Sequence, residues 1–359
     1  MNQPPVIVAY YLPQFHPIPE NDKAWGTGFT EWTNVKKALP LFRGHYQPRI
    51  PSLLGYYDLL DSSVQVQQSE LAQSSGIGCF AYWYYWMGSG KRLLEKPLDN
   101  MISNKDVSIP FCLAWANQSW TGVWHGNPSR IIAKQEYSGK DEVRLHGQTL
   151  LSYMNDDRYF RLNGKPLLCV FDPGDMPGWY LSALRDELSK SGELIFAVAI
   201  SNILIDWKRL GYDGLNLNTI NAVRNGVSTS SSERIYWGLR RRIMPWNALR
   251  KIPYNSYTQF FRQNMALFSD EGLYPTCIPN WDNTPRSGRA GLVLLDSSPE
   301  AYADHLRDCI LSTKGKVLDT PLVFIKSWNE WAEGNYLEPD ERYGALYLDA
   351  TKNIISTYG

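Results

Sequence analysis

Eight short apolar runs punctuate this chain, and most of them stop on tryptophan, amide or carboxylate side chains. They are Val6–Leu12, Cys79–Trp86, Ile109–Ala116, Lys165–Phe171, Leu194–Ile200, Gly214–Leu217, Tyr274–Pro279 and Leu322–Ile325. Runs of this length, rich in β-branched and aromatic residues and without polar alternation, read as strands covered on both faces. Between them lie stretches with helical signals: about Ser62–Ser75, closed by Gly76 and Gly78, then Arg92–Ser103, Asp141–Met154, Trp179–Lys190, Pro299–Ser312 and Gly344–Thr357. A helix between two strands returns the chain to the same end of the sheet, so the strands pair in parallel. Eight such units predict an α/β fold, a single (β/α)8 TIM barrel over residues 1–359. One stretch fits neither pattern. Residues 219–253, with a serine run at Ser228–Ser232 and a basic run at Arg240–Arg242, read as an excursion of the loop after the sixth strand.

Such a barrel gathers its βα loops at the carboxyl ends of its strands, so chemistry is expected where the apolar runs stop. Tyr10 and Tyr11 close the first run, and the long loop behind them carries His16, Glu31 and Trp32. A loop of that length in a compact domain is usually functional, and this one is expected to wall the site. Trp83 and Tyr85 lie at the end of the second run, Trp115, Asn117 and Trp120 at the third, and Asn280, Trp281, Asp282 and Arg286 after the seventh. Densest of all is the exit of the eighth, with Trp328, Asn329, Glu330, Trp331 and Glu333. Strand side chains alternate, so only one of Tyr10 and Tyr11 faces the barrel interior, whereas Trp115 and Asn117 share a face. Asp282 with Arg286 reads either as a structural ion pair or as ligand-binding. Trp328 and Trp331 either stack on a ligand or pack the rim. Glu338, just before Pro339, carries no functional expectation.

Two carboxylates three residues apart, flanked by indoles at the exit of a buried strand, are the parts needed to protonate a leaving oxygen while the second handles a nucleophile. Three residues reach at most about 10 Å, and on one helical turn the two Cβ atoms would be roughly 5–6 Å apart. Composition narrows the partner. With 36 basic and 36 acidic residues there is no net field to draw nucleic acid or an anionic membrane. The 14 Trp, 22 Tyr and 12 Phe, many beside polar residues, suit the C–H faces and hydroxyls of a carbohydrate. Five cysteines without a C-x-x-C pair and five histidines without H-E-x-x-H give no reason to expect a metal or other cofactor. The same scattered cysteines, with no basic-flanked apolar leader and no apolar span of roughly 20 residues, lead to the expectation of a cytoplasmic chain with no membrane span.

Four motifs resemble the WbsX-type family, which occurs with bacterial surface-polysaccharide gene sets and is often labelled as glycosyltransferases. They are AYYLPQFHPIPENDKAWGTGFTEWTNV, LAWANQSW, PNWDNTPR and SWNEWAEGNYLEP. That family is in turn similar to glycoside hydrolase family 99, the endo-α-mannosidases, through the segment around the last strand. The resemblance implies that Glu330 acts as base on the substrate's own 2-hydroxyl and that Glu333 is the general acid and base. It also implies retention of configuration through an anhydro-sugar. Ala332 stands where the mannosidases often carry histidine, so the resemblance does not carry mannose specificity with it. The expected function is therefore cleavage of a glycosidic bond in an O-antigen-like polysaccharide. A glycosyltransferase is the first alternative and a non-catalytic carbohydrate-binding protein the second. There is no D-x-D pair or G-x-G-x-x-G for a metal-bound nucleotide sugar, and Gly88–Lys91 is not a phosphate loop.

Overall fold

The computed structural model describes residues 4–122, 127–218, 220, 249–314 and 321–359. Its centre is a closed ring of eight parallel strands: β1 (Val6–Tyr11), β2 (Cys79–Gly88), β3 (Phe111–Trp115), β4 (Lys165–Phe171), β5 (Phe196–Ser201), β6 (Gly214–Leu217), β7 (Leu273–Cys277) and β8 (Leu322–Ile325). Closure is visible in β1, where Val8 pairs with Cys79 of β2 on one side and with Phe324 of β8 on the other. Around the ring lie α3 (Ser62–Ser74), α4 (Lys96–Ser103), α5 (Lys140–Met154), α6 (Tyr180–Ser189), α7 (Tyr254–Gln263), α8 (Pro299–Thr313) and α9 (Leu346–Tyr358), while α1 (Pro19–Trp25) and α2 (Glu31–Lys37) belong to the loop after β1. The expected (β/α)8 barrel is the fold of this chain.

The strands are apolar on both faces because both are covered. Val323 and Ile325 of β8 are buried along with Phe324, and burying each such side chain stabilises the fold by roughly 1.5–3 kcal/mol. Tyr10 and Phe324 stack inside the ring, with centroids 5.6 Å apart. There the Tyr10 hydroxyl donates to Asn216 Oδ1 at 2.8 Å, a polar crosslink under the mouth of the barrel.

Four local features depart from the sequence expectation. The helix expected from Arg92 begins only at Lys96, because Lys91–Leu93 folds back on β2 as a short antiparallel strand. Turns rather than a helix join β5 to β6. The first loop, for which no helix was expected, contains α1 and α2, the latter opened by a capping box between Thr30 and Thr33. Of the excursion at 219–253, residues 219 and 221–248 lie outside the described residues, and Arg250–Pro253 form a strand beside Leu292–Leu295, off the barrel.

Candidate active site

The chain leaving β8 folds back on itself at once. Asn329–Glu330 pairs antiparallel with Asn335–Tyr336, and a single 3-10 turn, Trp331–Glu333, joins them. Gly334 closes that turn at φ 60°, where a Cβ would come within 2.8 Å of Asp282 Cβ, so only glycine fits. Asn329 pins the turn to the end of β1: its Oδ1 accepts from Leu12 N at 2.7 Å and its Nδ2 donates to Leu12 O at 3.1 Å. These contacts present Glu330 and Glu333 side by side at the mouth of the barrel.

Both carboxyls are buried, and their surroundings make them unequal. Glu330 Oε1 accepts from Trp83 Nε1 at 3.0 Å. Burial, and then the neighbouring Glu333, push Glu330 up to about 8, outweighing the opposite pull of Lys326 and Arg286. Burial alone would raise Glu333 as well, but Lys326 and Arg286 reverse the sign and hold it below the usual glutamate value. Arg286 Nη1 donates to Glu333 Oε1 at 2.8 Å, and Lys326 Nζ lies 3.8 Å from Oε2. The other arm of the Arg286 guanidinium grips Glu31 of α2. Burial raises Glu31 in spite of that cation, whereas Glu333 has two cations beside it. At neutral pH the pair therefore carries one proton and one charge, with the proton on the Glu330 side. General acid catalysis beside a carboxylate requires that division.

The cleft above the pair holds about 1120 Å³ of empty space, counted out to its open mouth. Trp83 and Tyr85 of β2 and Phe171 of β4 form its floor and one wall, with Trp25, Phe29, Glu31 and Asn34 of the first loop opposite. Gln118, Ser119, Trp120 and Thr121, following β3, form another side, and Trp120 stacks on Tyr85 at 5.6 Å. Arg130, on the hairpin strand Asn127–Ala133, donates to the Ala24 carbonyl at 3.1 Å and packs over Trp25, tying the two walls together. Flat aromatic faces around a carboxyl pair bind sugar rings well.

The sequence pattern of the family described as Glycosyltransferase WbsX matches residues 7–351. This chain belongs to that family. Uncharacterized protein WxcX of Xanthomonas campestris pv. campestris strain ATCC 33913 is 35% identical over 98% of the chain, and its counterpart in strain B100 is 36% identical over the same share. The chain covers 50% of each and so spans about half the length of the curated relatives it matches. Among solved structures, the GH99 endo-alpha-mannosidase from Bacteroides thetaiotaomicron is 14% identical with a TM-score of 0.59, covering 98% of this chain and 97% of that one. A glycoside hydrolase-like protein is 11% identical with a TM-score of 0.59, covering 99% and 94%. At such identities the likeness is one of fold.

Of the residues singled out from the sequence, this WbsX-family chain brings Glu31, Trp83, Tyr85, Trp120, Arg286, Glu330 and Glu333 to the cleft. The others stand behind it. Tyr10 faces the barrel interior but lies beneath Trp83, stacked at 5.1 Å, while Tyr11 faces outward and donates to Gln68 Oε1 of α3 at 2.6 Å. Trp115 and Asn117 do share a face, and it is the wrong one. Trp115 donates to the Trp86 carbonyl and packs on His146 and Tyr180, and Asn117 donates to the Asp172 carbonyl, so Ala116 and Gln118 line the cleft instead. His16 is buried against the Pro13 carbonyl, and Trp32 donates to the Tyr57 carbonyl.

Asn280 caps the backbone of Trp281, whose ring supports Lys326 Nζ at 4.9 Å. Asp282 is not paired with Arg286. It accepts from His45 at 2.8 Å, Gln47 at 2.7 Å and Thr284, and its own backbone N–H holds the Glu333 carbonyl at 2.6 Å. Trp328 and Trp331 point their indole N–H groups at Glu338 rather than at the cleft, and Asn329 is the backbone clamp described above.

Missed by sequence reasoning were Gln14, Trp25, Phe29, Gln118 and Lys326, all inside or beside the motifs, with Trp25 on the unforeseen helix α1. Among the described residues one group could hold a metal ion: Cys277 of β7 with His305 and Cys309 of α8, all buried, with ligand atoms within 4.8 Å of one another. None of the three lines the cleft.

Proposed function

We propose that this protein cleaves a glycosidic bond in a bacterial surface polysaccharide of the O-antigen type, with Glu330 and Glu333 as its acid–base pair. The observation that carries the reading is the unequal pair: two buried carboxyls at the floor of an aromatic cleft, one raised to about 8 and the other held down by Arg286 and Lys326. One can protonate a leaving oxygen while the other takes a proton or charge from the attacking group. The family resemblance supplies the substrate class. All five cysteines are free and buried, which supports a cytoplasmic, reducing location.

Two allocations of roles follow. The resemblance makes Glu333 the acid and Glu330 the base on the 2-hydroxyl, which requires the proton to pass from Glu330 to Glu333 as the sugar enters. The resting charges make Glu330 the acid directly. Substrates with an activated leaving group separate them, because only the variant lacking the acid, Glu330→Gln or Glu333→Gln, retains turnover on such a substrate.

Incubation with purified O-antigen-type polysaccharides, with and without nucleotide sugars, tests the function itself. Shorter products without any donor are expected. The family description favours a second reading, transfer, and growth of product only when a nucleotide sugar is supplied would replace hydrolysis with it. Binding without turnover, unchanged in both glutamine variants, would instead make the chain a carbohydrate-binding protein.

A further inference from the structure

Glu338 ends the chain segment that carries the pair, and its side chain is only 3% exposed. It accepts four hydrogen bonds. Oε1 takes Gln68 Nε2 at 2.6 Å and Trp328 Nε1 at 3.0 Å, and Oε2 takes the Tyr57 hydroxyl at 2.9 Å and Trp331 Nε1 at 2.6 Å. None of these partners carries a charge. An indole N–H and an amide NH2 can only donate. The Tyr57 hydroxyl also accepts from Asn329 Nδ2 at 3.3 Å, so its proton is committed to Glu338. Behind Gln68, the Tyr11 hydroxyl donates to the amide oxygen at 2.6 Å, which leaves the NH2 end facing the carboxylate. Every proton in this network points inward. Only an ionised carboxylate has the lone pairs to take all four, since a protonated one would bring a fifth donor among them. Burial works against ionisation and raises the group to about 7, with Trp331, Gln68, Tyr57 and Trp328 pulling it back down.

The four donors come from three places: Gln68 from α3, Tyr57 from the first loop, and the two indoles from the turn itself. Those indoles stand on either side of Glu330 in the sequence, so a single anion grips the turn at both ends of the segment that presents the carboxyl. We propose that Glu338 is a positioning residue for the Glu330–Glu333 pair, a buried carboxylate that sets the spacing of the two carboxyls through Trp328 and Trp331. This rests on the proposed function only in taking that pair as the reacting groups.

The test needs no sugar. Trp83 Nε1 donates to Glu330, so its indole N–H resonance in the 15N-tryptophan-labelled protein reports the Glu330 titration, expected near pH 8. In Glu338→Gln the turn loosens and Glu330 gains solvent and distance from Glu333. The Trp83 midpoint should then fall by about one pH unit or more. The Trp328 and Trp331 indole N–H groups should exchange with solvent at least about tenfold faster. Tyr57→Phe removes one donor at nearly constant volume and should shift the midpoint the same way by less, and it decides the matter alone if Glu338→Gln does not fold. A Trp83 midpoint unchanged in the folded variants, with only the melting temperature lowered, would reduce Glu338 to structural support and overturn the proposal. Because no polysaccharide is present, failure of the digestion assay leaves this result intact, and the reverse also holds.

Discussion

The turn after β8 holds two buried carboxyl arrangements of opposite character. Glu330 and Glu333 face each other with Arg286 and Lys326 on one side, so one carboxyl keeps its charge and the other its proton. Glu338 is ringed by four neutral donors and has no such imbalance. Cations placed to one side make two acids unequal and therefore useful for moving a proton. A closed ring of donors makes one acid immobile and therefore useful for holding backbone. The same residue type, equally buried, serves chemistry in one place and geometry in the other.

The largest effect that would sharpen this contrast is on turnover. Glu330→Gln and Glu333→Gln should each lower the rate of polysaccharide cleavage by about 10²–10⁴. Glu330→Gln puts a neutral amide where the proton resides and should leave the melting curve nearly in place, whereas Glu333→Gln also removes a buried partner of Arg286 and Lys326 and should lower it. A rate loss as large from Trp120→Ala would break the distinction between chemistry and support.

Stability comes next. Arg286→Met strands Glu31 and Glu333 without their shared cation and should cost about 3–5 kcal/mol in urea unfolding. Glu338→Gln, which leaves donors unmatched, should cost about 1–3 kcal/mol for each one stranded. If Arg286→Met costs less than about 1 kcal/mol, the shared cation does not hold the two carboxylates and the comparison fails.

pH separates the arrangements further. The folded value of Glu330 is raised from 4.5 to about 8, so its contribution to stability is complete below 4.5 and is lost as pH climbs towards 8. Glu333 is lowered, so its contribution is present above 4.5 and disappears only as pH falls through its folded value. The one-proton form of the pair lies between these limits. A pH–rate profile should show an alkaline limb near 8 and an acid limb below the ordinary glutamate value, and an alkaline limb near 4.5 would contradict the assignment. Smallest is Trp120→Ala, which removes the stack on Tyr85 and should weaken oligosaccharide binding by about 0.5–1.5 kcal/mol as read by calorimetry.

Much of this was legible in the linear chain, and the failures share one cause. Periodicity and length located the eight strands, with five of the six expected helices within two residues of their observed bounds. What misled was parity. At the exit of the third strand the sequence points to Trp115 and Asn117, but Ala116 and Gln118 of the other parity line the cleft, since a one-residue difference sends a side chain to the helices instead. Glu338 carried no functional expectation because its four partners lie far away in sequence or point backwards along the turn. Arg286 could be paired on paper with Asp282 nearby, but folding gives it Glu31 and Glu333, partners contributed by other loops.

Local order along the chain therefore determined the barrel, the end of it that carries polar chemistry, and the segment holding Glu330 and Glu333, since strand formation and apolar burial depend on neighbours a few residues apart. Which carboxyl keeps the proton, which aromatics reach the cleft and which merely brace it were decided only by the closed tertiary structure. Burial, charge proximity and hydrogen-bond direction are properties of groups brought together from distant loops, and no stretch of sequence contains them.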